Sequence, residues 1–388
     1  MGKTYGYAGR VLRINLSDEK ISKEPLDLEE ARNYLGGRGF NNHKLYKELG
    51  PGVDPLGPEN KLMIATGPLV GTMFPTASRF NVSAKSPLTG IFGDTNAGGH
   101  LASEMKFAGY DQIIIEGAAN EPSYINIKDD TVEVLKADNI WGKTVFDADK
   151  QIKREQGSYV QTLICGPAAE KGVKYAGLFA NQARAASRTG MGTVLASKNI
   201  KAVAVRGTGV IKVADPERFE EMVLQLEKEI REHEQYEGRR LMGTTRILMM
   251  ANKAGFIPTR NYTQGTYEHA EKVSGERLAA EYNVKTRGCF ACTIPCSRIY
   301  TVKNGPYKGL HGEGPEYESL GSFTSRIGNP DIELTLKAND LCNQLGLDIL
   351  STVGASAGQW SYTKKDYSPK LKQVDWNSNG ATQTPYLP

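Results

Sequence analysis

Three cysteines stand close together at Cys289, Cys292 and Cys296, in the spacing CxxCxxxC. Thiolates that converge so closely bind a soft metal, either an iron–sulfur cluster or zinc. A zinc site usually has paired CxxC knuckles or a CxxC followed by two histidines, and the chain has neither, although His311 could complete a site of three cysteines and one histidine. A third interpretation, three inert buried thiols, requires that they cluster by chance.

The cysteine run supplies three thiolates, whereas a four-iron cluster takes four ligands. Cys165 and Cys342 are the only other cysteines of the sequence and hence the only candidates within it for a fourth thiolate. The residues between the thiols include Phe290 and Ile294. Such apolar neighbours suit a cluster that is shielded from water, because solvent access helps to set its potential.

Hydroxyl residues recur with arginine, with glycine or with both in several loops of the first half of the chain. These loops are 75–79, 85–90, 93–99 and 184–192. Glycine lets backbone N–H groups approach an anion, and arginine binds phosphate through its two-pronged guanidinium. The pattern predicts a phosphorylated cofactor lying across this region, and ordinary turns with solvated arginines are the alternative.

Two groups of acidic residues follow the cysteines. Glu316 and Glu318 lie about twenty residues further on, where a carboxylate beside a cofactor could accept protons; a solvated acidic loop is the alternative. Asp348 follows a predicted helix and could accept hydrogen bonds from the N–H groups of a ligand. A simple helix-capping aspartate is the alternative for this residue.

The net charge of +4 over 388 residues is small, and the basic residues form no long block. A nucleic-acid-binding surface is therefore not expected. No apolar run reaches the length of a membrane span, and the N-terminus lacks the apolar segment of a secretory signal. Five cysteines, three of them clustered, are typical of a reducing compartment. The composition predicts a cytoplasmic protein without a nucleic-acid or membrane partner.

Short β-like runs separated by glycine and proline turns fill the first 210 residues. They are predicted at 10–15, 61–65, 79–84, 112–116, 124–127, 132–135, 162–165 and 202–205. Only two helices are predicted among them, at 28–34 and 145–155. This arrangement predicts a β-rich domain rather than an alternating βαβ array.

The pattern becomes mainly helical after residue 210. Asp215 and Pro216 are predicted to begin a helix, since they suit the cap and the first helical position. Further helices are predicted at 245–253 and at 331–345, the latter ending at Gly346. The stretch 354–388 is polar and aperiodic, which predicts disorder. The predicted fold class is α+β, with a β-rich cofactor-binding domain (1–210), a mainly helical domain (211–353) and a tail (354–388).

Several longer motifs carry a resemblance to a known family. They are Gly-Gly-Arg-Gly at 36–39, Ala-Thr-Gly-Pro-Leu at 65–69, Lys-Ser-Pro-Leu-Thr-Gly at 85–90, Lys-Phe-Ala-Gly-Tyr-Asp at 106–111, the cysteine run at 289–296 and Gly-Pro-Glu-Tyr-Glu at 314–318. From about residue 7 to about residue 352 the chain resembles the tungsten-containing aldehyde:ferredoxin oxidoreductases. The resemblance makes zinc a minor alternative. It implies a bis-pterin tungsten cofactor beside a 4Fe-4S cluster.

The resemblance also implies roles for individual residues. The pterin phosphates and a bridging magnesium would be held by Arg79, Asn96, Gly98, Arg184, Ala185, Ser187 and Arg188. The pterin rings would contact Asn343, Leu347 and Asp348, the cluster would be bound by Cys289, Cys292 and Cys296, and Glu318 would be the carboxylate beside tungsten. The implied reaction oxidises an aldehyde to a carboxylic acid and passes electrons through the cluster to ferredoxin or an iron–sulfur partner subunit. A homodimer is a candidate assembly.

Three features depart from the pattern of the family. Asn343 replaces an aspartate, which removes a charge but keeps an amide oxygen that can accept one pterin N–H. Lys337 stands where some members carry a glutamate that binds a metal between subunits, so no such metal is expected. The family's third domain, which supplies the fourth cluster cysteine, finds no counterpart, and the iron–sulfur domain is therefore expected to be incomplete. The alternatives are a related reductase of an aromatic thioester and an inactive cofactor-binding remnant.

Overall fold

The computed structural model describes residues 5–364 of the chain. The first domain contains two six-stranded sheets. The strands of the first sheet are β1 (Arg10–Asn15), β2 (Lys20–Pro25), β3 (Leu62–Thr66), β4 (Phe80–Lys85), β5 (Phe92–Ala97) and β6 (Gln112–Glu116). They lie in the order β2-β1-β6-β3-β4-β5, and every pair is antiparallel except β1 with β6. Strand β5 therefore forms one edge of this sheet.

The second sheet follows in the chain. Its strands are β7 (Ser123–Lys128), β8 (Thr131–Lys136), β9 (Gln161–Cys165), β10 (Leu178–Ala180), β11 (Arg184–Ala186) and β12 (Ile200–Arg206). They lie in the order β11-β10-β9-β12-β7-β8, and only β7 and β12 pair in parallel. The edge strand β11 lies in contact with β5, the edge strand of the first sheet. The two edges thus meet at one place, where Gly98 follows β5 and Arg184 begins β11.

Six helices complete the first domain: α1 (Leu28–Tyr34), α2 (Arg38–Glu48), α3 (Leu101–Phe107), α4 (Val145–Gln156), α5 (Pro167–Glu170) and α6 (Met191–Ser197). Helices α3 and α6 contribute apolar side chains to the core that the two sheets share. Helices α1 and α2 cover the opposite face of the first sheet, and α4 covers the opposite face of the second. The central strands of each sheet are therefore buried on both faces, as their apolar sequences require.

The second domain is mainly helical, as predicted. Its helices are α7 (Pro216–Glu232), α8 (Tyr236–Met242), α9 (Ile247–Lys253), α10 (Gly275–Glu281), α11 (Tyr317–Phe323), α12 (Ile332–Leu345) and α13 (Ile349–Lys364). It also contains a small antiparallel sheet that the sequence pattern did not predict, with strands β13 (Asn283–Arg287), β14 (Ser297–Thr301) and β15 (His311–Glu313) in that order. The cysteine run forms the loop between β13 and β14.

The predicted α+β fold is confirmed, and most predicted elements are found. The eight predicted strands are all present, with ends shifted by no more than two residues. Asp215 caps α7 by accepting a hydrogen bond from the backbone N–H of Arg218. Asp331 caps α12 in the same way, and Gly346 ends that helix in the left-handed region at φ +80°. Caps and period thus located three of the seven helices described for the second domain, α7, α9 and α12, and missed the other four.

The predicted start of the disordered tail is wrong. Helix α13 continues from Ile349 to Lys364, so residues 354–364 are helical. The polar, aperiodic sequence predicted disorder here because a helix rich in serine, glycine and threonine lacks a clear polar face. The remainder of the predicted tail, 365–388, lies outside the described residues. Among the residues that the structure describes, no helix is long and apolar enough to cross a membrane.

A buried ion pair anchors the start of the chain to the first sheet. Lys106 and Asp111 are both fully buried, and Lys106 Nζ lies 2.5 Å from Asp111 Oδ1. The carboxylate also accepts hydrogen bonds from the backbone N–H groups of Ala8 at 3.0 Å and Gly9 at 2.7 Å. Lys106 Nζ in turn donates to the carbonyl of Gly6 at 2.8 Å. One buried carboxylate thus satisfies three donors.

We expect Asp111→Ala to destabilise the fold by about 3–5 kcal/mol, because it leaves the charge of Lys106 buried without its partner. The measurement is urea unfolding of the variant and the parent. Asp130→Ala is the matched control, since Asp130 pairs with Arg10 but is 71% exposed, and its loss should cost at most about 1 kcal/mol. Equal shifts in the unfolding midpoint of both variants would contradict the prediction.

Candidate functional site

A cavity of about 750 Å³ opens between the two domains, within the range of roughly 300–1,000 Å³ typical of ligand sites. All fourteen residues that the sequence predicted for the site line it. They are Arg79, Asn96, Gly98, Arg184, Ala185, Ser187, Arg188, Cys289, Cys292, Cys296, Glu318, Asn343, Leu347 and Asp348. The structure therefore brings together residues that lie up to 269 positions apart in the sequence.

One wall of the cavity comes from the two edge strands. Asn96 lies on β5 and Gly98 follows it, while Arg79 directly precedes β4 and hydrogen-bonds to Asn96 through its guanidinium. Arg184 and Ala185 lie on β11, whose contact with β5 places the second arginine loop beside the first. The recurrence of arginine and glycine in separate loops thus reflects one continuous surface.

The opposite wall comes from the end of α12. Asn343 is buried in its last turn, and Leu347 and Asp348 follow the turn at Gly346. Asp348 accepts hydrogen bonds from Ser187 Oγ at 3.1 Å and from Arg188 Nη1 at 2.9 Å. Its carboxylate also accepts the backbone N–H of Ser351 at 3.0 Å, in the first turn of α13. Asp348 is therefore a helix cap and at the same time a link to the arginine loop.

The three cysteines lie in the 288–296 loop, half-buried against the first domain. The backbone N–H of Phe290 donates to the carbonyl of Gly99 at 3.1 Å. A Cβ atom at Gly98 would lie only 2.9 Å from Cys289 Sγ, so the absence of a side chain there makes room for this thiol. Burial raises the pKa of the Cys292 and Cys296 thiols. These two thiols therefore favour the neutral form unless a cation compensates them.

These surroundings fit the ligands that the resemblance implies. In the described part of the chain, no three His, Cys, Asp or Glu side chains are arranged to hold a single metal ion. A four-iron cluster differs from such a site, since each thiolate binds a different iron atom. On the wall formed by β11, Arg184 Nη2 is buried and pairs with Glu313 Oε1 at 2.7 Å but makes no hydrogen bond, so a phosphate oxygen would still find a free donor there.

The other candidate metal ligands lie elsewhere. His311 is exposed on β15, and its Nδ1 lies 2.9 Å from Thr301 Oγ1, so it does not complete a site with the cysteines. Cys165 and Cys342 are 0% and 5% exposed and do not line the cavity. Burial raises the pKa of each of these two thiols to about 12. Both are therefore packed as apolar side chains.

The acidic loop does reach the cavity. Glu316 accepts a hydrogen bond from Thr244 Oγ1, which itself accepts the backbone N–H of Tyr317 at 2.8 Å. Glu318 lies in the first turn of α11 and is exposed at the cavity wall. Glu316 is therefore held within the cavity wall, whereas the role of Glu318 stays a prediction.

Several residues of the site escaped the sequence interpretation. Glu313 and Arg239 line the cavity. Arg298 lies behind it, fully buried, and donates to the carbonyls of Cys296 and Pro315. Burial lowers the pKa of Arg298. The nearest signal in the sequence was the position of Arg298 two residues after Cys296, but a buried arginine has no local pattern that distinguishes it from a solvated one.

Comparison with known proteins identifies the family. Residues 11–207 match the model of the aldehyde ferredoxin oxidoreductase N-terminal domain, and residues 221–381 match that of domains 2 and 3 of the same family. The chain belongs to the aldehyde ferredoxin oxidoreductase family. The second match reaches residue 381, so the resemblance extends beyond residue 352, where we expected it to end.

Individual relatives agree with this assignment. The chain is 43% identical over 356 residues to the tungsten-containing aldehyde ferredoxin oxidoreductase of Pyrococcus furiosus, covering 91% of this chain and 58% of that protein. The corresponding protein of Thermococcus kodakarensis is 41% identical over 366 residues, covering 94% and 60%. An aliphatic sulfonate oxidoreductase, WOR-like subunit, of Pyrococcus furiosus is 31% identical over 367 residues. The chain thus spans about three fifths of the length of these relatives.

A solved structure shares the fold. The active-site complex BamBC of benzoyl-coenzyme A reductase, in complex with 1,5-dienoyl-CoA, superposes with a TM-score of 0.82 and 27% sequence identity. The superposition covers 93% of this chain and 56% of that chain. Proteins named for different substrates therefore share this architecture, and the substrate must be argued from the site.

We expect alkylating reagents to distinguish the two kinds of cysteine in the iron-free protein. The thiolate is the reactive form, and with a pKa of about 12 only about one Cys165 or Cys342 thiol in ten thousand is ionised at pH 8. At that pH iodoacetamide should label Cys289, Cys292 and Cys296 first, as followed by mass spectrometry of each peptide. Labelling of Cys342 at the rate of Cys292 without urea would contradict this assignment of buried thiols.

Proposed function

We propose that this chain binds tungstopterin and a 4Fe-4S cluster as part of an oxidoreductase that converts an aldehyde into a carboxylic acid. The observation that supports it most is the single cavity, which joins the arginine loops of the first domain to the cysteine loop of the second. Electrons would leave through the cluster to ferredoxin or an iron–sulfur partner subunit. A cytoplasmic location and a homodimer stay predictions of the same proposal.

The residues of the cavity divide by chemistry. The pterin phosphates and their magnesium would be held by residues of the first domain: Arg79, Asn96, Gly98, Arg184, Ala185, Ser187 and Arg188. On the opposite wall, Asn343, Leu347 and Asp348 would contact the pterin rings through amide, apolar and carboxylate groups. Cys289, Cys292 and Cys296 would supply the soft thiolate donors that iron requires. The residue types on each wall suit the group assigned to it.

When bound, tungstopterin supplies the two-electron redox chemistry, and the cluster passes the electrons on singly. The chain's own residues position these groups, exclude water and move a proton. Glu318 is the carboxylate proposed to accept that proton, since it lines the cavity from the first turn of α11. The walls of the two domains would limit access of water to the reacting atoms.

A second candidate function is the reduction of an aromatic thioester. It is favoured by the likeness to the benzoyl-coenzyme A reductase complex, at a TM-score of 0.82. The two functions differ in the direction of electron flow. Aldehyde oxidation would reduce an oxidised viologen dye, whereas thioester reduction would consume a reduced one.

The test is anaerobic expression with tungstate, followed by tungsten, iron and pterin analysis and by both viologen assays. Tungsten, iron and pterin with aldehyde-dependent dye reduction are the expected result. Thioester-dependent oxidation of reduced viologen would favour the second candidate. Bound cofactors without either activity would favour a cofactor-binding protein that is not catalytic. Protein without tungsten, iron and pterin would overturn the proposal.

We expect Cys292→Ser to lose iron, because serine supplies no soft thiolate. The measurements are iron content and visible absorption of the anaerobically purified variant. Cys342→Ser is the matched control, since Cys342 does not line the cavity, and it should keep the iron of the parent. An iron content of Cys292→Ser equal to that of the parent would contradict the cluster assignment. Loss of iron in both variants would indicate that Cys342 is a cluster ligand.

We expect Glu318→Gln to keep tungsten and iron but to slow turnover by about 10²–10⁴. Glutamine keeps the shape and a hydrogen-bond acceptor but cannot take up a proton. The measurement is the rate of dye reduction per bound tungsten across a range of pH. A rate equal to the parent's at every pH would eliminate Glu318 as the proton acceptor.

A further inference from the structure

The ends of the three short strands of the second domain meet beside the cysteine loop. Strand β13 ends at Arg287, directly before the loop, and β14 begins at Ser297, directly after it. These two residues are paired across the ladder. The third strand, β15, ends at Glu313 opposite Ile299 on β14. Glu313 therefore stands next to the point where the cysteine loop leaves and re-enters the sheet.

The Glu313 carboxylate bonds to both ends of that loop. Its Oε1 accepts a hydrogen bond from Ser297 Oγ at 2.7 Å, and its Oε2 accepts one from Arg287 Nη1 at 3.1 Å. The side chain is only 9% exposed. A carboxylate with charged and hydroxyl donors at this burial makes hydrogen bonds that are stronger than those of a neutral pair.

A third contact leads to the first domain. Arg184 Nη2 lies 2.7 Å from Glu313 Oε1, so the two side chains form an ion pair. The N–H groups of Nη2 are poorly aligned with that oxygen, and the atom therefore makes no hydrogen bond. Arg184 belongs to β11, in the wall proposed to bind phosphate. One carboxylate thus contacts residues at both ends of the cysteine loop and an arginine of the opposite domain.

We propose that Glu313 is a positioning residue that closes the cysteine loop and holds it against Arg184. Without the carboxylate, the ends of the loop lose their shared acceptor, and two guanidinium groups lose a charged partner. The loop then samples more conformations, and its three thiols no longer stay at the fixed spacing that a cluster requires. The identity of the group that the thiols bind rests on the proposed function, but the closure of the loop does not.

The first experiment uses the full chain stripped of iron, so that no bound group holds the loop. Iodoacetamide labelling of each cysteine is compared in the parent, Glu313→Gln and Glu313→Ala. We expect labelling of Cys289, Cys292 and Cys296 to speed up severalfold, most in the alanine variant, since glutamine keeps an acceptor for Ser297. Cys165 and Cys342 should keep parental rates, which shows that the fold is intact.

The matched control is Glu281→Gln, which removes a carboxylate from an exposed ion pair with Arg277 in the same domain. It should leave all labelling rates unchanged. Parental labelling of the loop thiols in both Glu313 variants would overturn the proposal. Faster labelling of Cys165 and Cys342 as well would also overturn it, because Glu313 would then stabilise the fold in general.

The contact with Arg184 is tested by a double-mutant cycle on the same labelling rates. Arg184→Ala should also speed up labelling of the loop thiols, and combining it with Glu313→Gln should give less than the product of the two separate effects. Simple multiplication of the effects would show that Arg184 has no part in holding the loop.

The iron-loaded protein separates this inference from the proposed function. If the parent binds a cluster, Glu313→Gln should broaden or shift the electron paramagnetic resonance spectrum of the reduced cluster, relative to Glu281→Gln. An unchanged spectrum would contradict the role of Glu313 in setting thiol geometry. If the parent binds no iron, the proposed function fails, and the labelling experiment alone decides the role of Glu313.

Discussion

The cavity depends on one close approach between backbones. Gly166 of the first domain lies so near the end of α12 that a Cβ atom there would come within 2.1 Å of the carbonyl oxygen of Leu345. Beside this contact, the N–H of Gly177 donates to the carbonyl of Gly346 at 2.9 Å. Only glycine permits such an approach. It brings Asp348 within hydrogen-bonding distance of the arginine loop and so closes one side of the cavity.

A similar approach closes the other side. The cysteine loop rests on Gly98 and Gly99, next to β5 of the first sheet, while Phe290 packs edge-on against Phe107 of α3, with ring centroids 5.6 Å apart. The second domain therefore contacts the first sheet through its cysteines and the second sheet through Asp348. Because both contacts include close backbone approaches, the two walls of the cavity keep a fixed relation, which the proposed pair of redox groups would require.

The local sequence pattern predicted the helices and strands that have clear boundary residues, and it missed those that are defined by tertiary contacts. Helix α12 was found from Asp331 and Gly346, because caps have a chemistry of their own. Helix α3 was missed because Leu101 to Lys106 are all buried, so no polar face marks its period. The residues that line the cavity were predicted from the cysteine spacing and the family motifs. Glu313 was not, because its role depends on a strand pairing with β14 that only the fold creates.

The arginines of the cavity show how the fold prepares a binding surface before a ligand arrives. Arg79 is held by Asn96, Arg184 lies against Glu313, and Arg188 is held by Asp348. Free arginine side chains would lose substantial rotamer entropy on binding. Here part of that loss has already occurred on folding, which lowers the entropic cost of capturing an anion. Since a guanidinium carries five N–H donors, each arginine can keep its protein partner and still bind phosphate. The carboxylates at this surface would therefore orient the arginines rather than compete with the proposed phosphate ligand.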